Sequence, residues 1–109
     1  MSYITNKPDY EIATGDKEFE SMQTTGSLNV ITATMSGIIN NDSTLELQQS
    51  VDDSNWSLVP GSQVLIAAGT PHHTWNVNGL PRGIFLRVVV RIGTAVAGVI
   101  NSIKMLTND

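Results

Sequence analysis

The chain contains no cysteine in 109 residues, so neither a disulfide framework nor a thiolate metal site can hold it together. It is also poor in charge. Only 15% of residues are Asp, Glu, Lys or Arg, against roughly 25% in ordinary soluble domains. The cations are few: Lys7, Lys17, Arg82, Arg87, Arg91 and Lys104 face ten acids, for a net charge of −4. Nucleic-acid binders displace counterions with clustered basic surface, and this balance argues against DNA or RNA as partner. No apolar stretch approaches the ~20 residues needed to span a bilayer, because Arg87 and Arg91 interrupt the longest run, Ile84–Ile92. The opening residues, Met1 to Lys7, lack a basic start followed by an apolar run, so no secretory signal is expected and no membrane partner is implied. Long helical periods are missing as well: no segment of 11 or more residues keeps an apolar spacing near 3.6.

What remains is a chain whose polarity is carried by Thr, Ser, Asn and Gln. Its nine glycines and four prolines punctuate short runs rich in Thr, Val, Ile and Leu. Low surface charge suits close packing against other protein, since fewer ions must be desolvated. At this length one hydrophobic core is feasible without covalent staples. The expected fold is all-β: a two-sheet antiparallel β-sandwich, jelly-roll or Ig-like, of about eight strands with an irregular N-terminal arm. Residues 1–25 are assigned to the arm and a possible first strand, and residues 26–109 to the sandwich domain.

Within the arm, Pro8, Asp9, Gly15 and Asp16 break regular structure over residues 1–16, and five of the ten acids fall in the first 20 residues. Deleting 1–16 is therefore expected to leave the sandwich folded. A first strand is predicted over Glu18–Gln23. The next, Leu28–Ser36, alternates Ile31, Ala33 and Met35 against Thr32, Thr34 and Ser36. Leu28 and Val30 break that phase, which predicts a bulge or a change of face near its start. A turn over 40–43 leads to Thr44–Ser50, with Leu45 and Leu47 inward and Glu46 and Gln48 outward. Further strands are predicted at Trp56–Val59, Gln63–Ala67, His72–Val77, Ile84–Ile92 and Val99–Leu106, with a loop over 93–98. The predicted core is Leu45, Leu47, Trp56, Leu86, Val88 and Val90, with Trp56 crossing between the sheets.

Residues that could carry chemistry are few, and the chain is expected not to be an enzyme and to need no cofactor. His72 and His73 are adjacent, so on a strand their rings point to opposite faces and do not converge on one metal. The acids Asp42, Glu46, Asp52 and Asp53 lack the alternation and glycine of a calcium loop. Asp52-Asp53-Ser54-Asn55 reads instead as a turn stabilised by its own side chains. Paired carboxylates of a glycosidase would need a cleft or aromatic platform that the surrounding sequence does not supply. Gly-x-Ser-x-Gly, P-loop and dinucleotide glycine patterns are all absent. No catalytic or metal residue is assigned. Arg87 and Arg91 lie four apart on one strand face. They could bind an anion or an acidic partner, or pair across strands with Glu46 and the acids of the arm. Trp75 is either core or an exposed stacking platform.

The segment Gln48-Gln49-Ser50-Val51-Asp52-Asp53-Ser54-Asn55-Trp56 has the form Q-x-S-x-D-x-x-x-W. It resembles a hairpin of the small β-sandwich modules found in virion proteins of tailed bacteriophages and prophages. Downstream, Gly83-Ile84-Phe85-Leu86-Arg87-Val88-Val89-Val90 resembles the long strand of those modules, in which an arginine interrupts an apolar run. The likeness runs from about Thr44 to Leu106 and does not include the first 40 residues. It implies a non-enzymatic structural protein of the virion, of capsid-decoration or head-fibre type, on the capsid surface and made in the host cytoplasm. Its partners would be the major capsid or another virion protein and copies of itself, by family habit as a trimer. The arm would then supply anchoring contacts through Tyr3, Ile4, Tyr10 and Ile12, with Arg87 and Arg91 as assembly contacts. The alternative is a carbohydrate- or receptor-binding module of a tail fibre, with Trp75 and Arg87 touching the ligand.

Overall fold

The computed structural model describes residues 2–12, 15–39, 42–93 and 97–108. The described residues form eleven strands: β1 (Ser2–Asn6), β2 (Tyr10–Glu11), β3 (Lys17–Glu18), β4 (Met22–Gln23), β5 (Leu28–Ser36), β6 (Thr44–Ser50), β7 (Ser57–Leu58), β8 (Val64–Leu65), β9 (His72–Asn78), β10 (Phe85–Arg91) and β11 (Val99–Thr107). One sheet runs β1-β11-β5-β9, with β2 also on β11. The second runs β3-β10-β6-β7, with β4 on β10 and β8 on β6. Every pairing is antiparallel. The expected β-sandwich is therefore what the chain forms. None of its described residues makes a helix long and apolar enough to cross a membrane.

Period-two alternation builds the core. Ile31, Ala33 and Met35 of β5, Ile100, Ile103 and Met105 of β11, and Trp75 and Val77 of β9 face inward from the first sheet. Leu45 and Leu47 of β6 and Leu86, Val88 and Val90 of β10 meet them from the second. Most of these side chains are wholly removed from water, each contributing about 1.5–3 kcal/mol of transfer free energy. The long strands match the sequence expectation closely, with β5 and β6 coinciding residue for residue. The expected count of about eight strands falls short of eleven because β1 and β2 lie in the segment assigned to the arm and β3 and β4 occupy the span of one expected strand, whereas β7 and β8 fall inside the strands expected at Trp56–Val59 and Gln63–Ala67. The turn at 40–43 and the loop at 93–98 lie partly outside the described residues.

Four expectations are corrected. The arm is not irregular: β1 pairs with β11 from Ser2↔Thr107 to Asn6↔Ile103, and β2 continues on the same strand. Its apolar residues give the reason. Ile12 is fully buried, Ile4 and Tyr10 pack on the core, and Ile12 N donates to Gly98 O at 2.9 Å. The strand expected over Glu18–Gln23 splits into β3 and β4 on the same partner, β10, because Phe19 turns inward between them. The alternation of β5 is unbroken at its start. Asn29 takes the inward position, Leu28 and Val30 face outward, and the bulge lies on the partner strand between Ile100 and Ser102. Trp56 stands outside the core, half-buried beneath the Arg87 guanidinium. The indole that fills the core is Trp75, whose Nε1 donates to Ser62 O at 2.8 Å.

Two consequences can be measured by urea unfolding. Trp75→Ala is expected to cost ~3–5 kcal/mol and Trp56→Ala much less. Deletion of residues 2–12 strips β11 of its outer neighbour and opens the core at Ile12. It is expected to lower the midpoint steeply or leave the chain insoluble, in place of the tolerated truncation expected from the sequence.

Candidate functional site

The β10–β6 register sets the outer face of the second sheet, placing Arg87 opposite Gln48, Val89 opposite Glu46 and Arg91 opposite Thr44. Arg87 Nε donates to Gln48 Oε1 at 2.8 Å, its Nη1 lies 3.3 Å from the Glu18 carboxylate, and its guanidinium sits 4.2 Å above the Trp56 ring. Arg91 Nε reaches Glu46 Oε1 at 3.3 Å and its Nη1 approaches Asp16 at 3.8 Å. Glu46 also accepts from the side-chain amides of Gln48 at 3.1 Å and Gln63 at 3.3 Å. Beneath this layer Val89 has no exposed surface, and Glu46 and Gln48, outward as expected, are buried all the same. The two arginines therefore pair within the chain, with Glu46 and with acids of the first 20 residues. The contacts to Glu18 and Asp16 are more than half exposed on the acid side and contribute little. The stack on Trp56 and the bonds to Glu46 and Gln48 fix the guanidinium planes against the sheet.

The remaining candidates resolve one by one. His72 is exposed, while His73 meets the edge of Trp75 at a centroid distance of 4.7 Å. Burial, and then the neighbouring charge of His72, lowers the His73 pKa below its ordinary value. No group of three potential metal ligands is found among the described residues. The Asp52 carboxylate accepts from Ser50 Oγ at 2.8 Å, Ser54 N at 3.0 Å, Asn55 N at 2.8 Å and Asn55 Nδ2 at 2.7 Å, and Asp53 adopts φ 60°. The segment is the self-stabilised turn expected from its composition. Trp75 is only 7% exposed and belongs to the core, the first of the two placements the sequence left open. Of the anchoring residues, Ile12 is core, Ile4 and Tyr10 are partly buried on it, and the Tyr10 hydroxyl donates to Gly15 O. Tyr3 alone is well exposed, at 60%, with the Lys104 ammonium 4.3 Å from its ring centroid.

What the sequence did not disclose lies at the two flanks of the sandwich. A cleft of about 470 Å³ opens beside β1, lined by Thr5, Lys7, Tyr10, Lys17, Phe19 and Glu20 among others. A second, of about 490 Å³, opens beside β9, where Val59, Pro60, Leu80, Trp75 and Val77 contribute its apolar lining. Each cleft runs along a strand that ends the first sheet. The alternation of exposed His72, Thr74, Asn76 and Asn78 with inward Trp75 and Val77 marks β9 as half-buried, but says nothing of its place at an edge. Further apolar side chains stand in solvent on the same molecule, notably Val51, Leu58 and Leu65 at 78%, 45% and 64% exposure. No family model, curated protein or solved structure matches the chain.

The bonds converging on Asp52, first from the Asn55 backbone, hold its carboxyl well below its ordinary value of 3.8. A depressed carboxyl stabilises the fold at pH values above its unfolded pKa, and that contribution drains away as pH falls from about 4 toward the lower folded value. Asp52→Ala is expected to flatten the acid limb of a stability-against-pH curve while leaving its shape above pH 5 unchanged. Urea midpoints measured at intervals across the acid range check this.

Proposed function

We propose that the chain is a non-enzymatic structural subunit of a phage virion, of the capsid-decoration or head-fibre type, that works by assembling with copies of itself and with a neighbouring virion protein. The observation that carries this reading is the pair of open strand edges on the first sheet. β1 and β9 end that sheet with five and seven residues, and neither contains a proline or lysine to discourage pairing. The second sheet, by contrast, ends in strands of two residues. Exposed Tyr3, Leu28, Val51, Leu58 and Leu65 and the low charge content agree with a surface meant to meet protein. So does the Gln48 to Trp56 hairpin, whose resemblance to virion modules motivates the particular class.

Density-gradient fractionation of lysates from cells producing the chain, read with an antibody against it, tests the proposal. Recovery in the dense particle fractions is expected, and recovery solely among small soluble proteins would overturn it.

A further inference from the structure

The two open edges of the first sheet are complementary in direction, length and face. In an antiparallel sheet, a residue's N–H and C=O point to the same neighbouring strand, and successive residues alternate between the two sides. Met35 N donates to Pro71 O and Gly79 N to Ser27 O, so in β9 residues 71, 73, 75, 77 and 79 direct their backbone at β5. His72, Thr74, Asn76 and Asn78 therefore direct theirs away from the sheet. Asn108 N donates to Leu28 O, so the even residues of β11 near its end serve β5 and its odd residues serve β1. With Ser2, Ile4 and Asn6 opposite Thr107, Met105 and Ile103, the backbone groups left on the far side of β1 belong to Tyr3 and Thr5.

Across the sheet the strands alternate in direction from β1 through β11 and β5 to β9, so β1 and β9 run opposite ways. Placing a second copy beside the first in the same orientation thus brings β1 of one copy antiparallel to β9 of the other. Side-chain faces also agree. Tyr3 and Thr5 are exposed on the outer face, as are Thr74 and Asn76. Ile4 points inward, toward the side on which β9 borders the apolar cleft of Trp75, Val77 and Leu80.

We propose that β1 of one copy adds to β9 of the next, with Thr5 and Tyr3 exchanging backbone hydrogen bonds with Thr74 and Asn76. The inference rests on the assembly reading above and names the partner as a second copy of this chain. Head-to-tail addition occupies both edges of every copy inside the assembly. A twofold contact of β9 with β9 leaves each β1 edge open, which is the liability that edge strands otherwise carry. A head-to-tail contact also builds a ring wherever its rotation closes.

The absence of native cysteine makes the test clean. In Thr5→Cys/Thr74→Cys the two thiols of one molecule stand three strand spacings apart, roughly 14 Å. A bismaleimide shorter than that span joins only thiols of different molecules. The double variant is expected to give a ladder of covalent multimers on a denaturing gel, and each single variant is expected to stay monomeric there. Thr74→Pro removes an edge N–H without touching the β5 pairing. It is expected to reduce the mass of the native assembly by sedimentation velocity while retaining the wild-type circular dichroism spectrum. Dimers from Thr74→Cys alone would establish a twofold β9 contact and overturn the proposal. So would a wild-type chain that sediments as a monomer at high concentration, or a double variant that assembles without cross-linking. Recovery of the chain in particle fractions without the ladder would sink this pairing and leave the virion reading intact; the ladder without particle recovery would do the reverse.

Discussion

Everything in this sandwich depends on burying β10 from both sides. Leu86, Val88 and Val90 enter the interior, but Val89, on the opposite face, is equally removed from water. A sheet face turned to solvent cannot do that unaided. The cover comes from long polar side chains lying flat: the stems of Arg87 and Arg91, and the amides and carboxylate of Gln48, Gln63 and Glu46. Because Glu46 is buried, its charge needs the three donors it has, and the arginines in turn locate Glu18, Asp16 and Trp56. The polar cover is therefore a structural element. The short β3 strand lies beside this cover, and the buried Phe19 that follows it, with Phe19 N donating to Val88 O at 2.9 Å, supplements its two residues of backbone pairing.

The fold was legible in the sequence wherever alternation ran for seven or more residues. β5, β6, β10 and β11 could be read within about a residue of their ends, since apolar side chains alternate with polar or outward ones over most of each strand. Legibility failed where tertiary context decides. Asn29 looks like an interruption, yet it occupies an inward site, its Nδ2 donating to Gly26 O at 3.3 Å. The two tryptophans have similar local settings, and only the reach of Trp75 Nε1 to Ser62 O separates the core indole from the outer one. Pro8 and Asp9 hid the strand character of residues 2–12, because they interrupt the chain between β1 and β2 and the partner strand is about a hundred residues away.

The candidate site divides in the same way. Pairing of Arg87 and Arg91 with acids was readable from charge and spacing, and the Asp52 turn from its composition. The clefts were not, because each is made by two sheets meeting at a flank, from segments such as Val59–Ser62 and Thr74–Asn78 that only the fold brings together. The asymmetry between the sheets is the more telling outcome. One closes its margins with strands of two residues and a charged cover; the other ends in long, regular strands bordered by partly apolar hollows.

The placement of β11 has a consequence for biosynthesis. It leaves the ribosome after the other ten strands of this sandwich, yet it sits between β1 and β5, the partners of its two sides. Until residues 99–107 emerge, both of those earlier strands wait with a vacant flank, and the first sheet consists of little more than β5 against β9. Closure thus waits on a pairing of long sequence separation, slow by the loop entropy it must overcome. Nascent chains on one message, arrayed close together, offer each other unpaired edges, so the order of synthesis itself sets a window in which misassembly competes with folding.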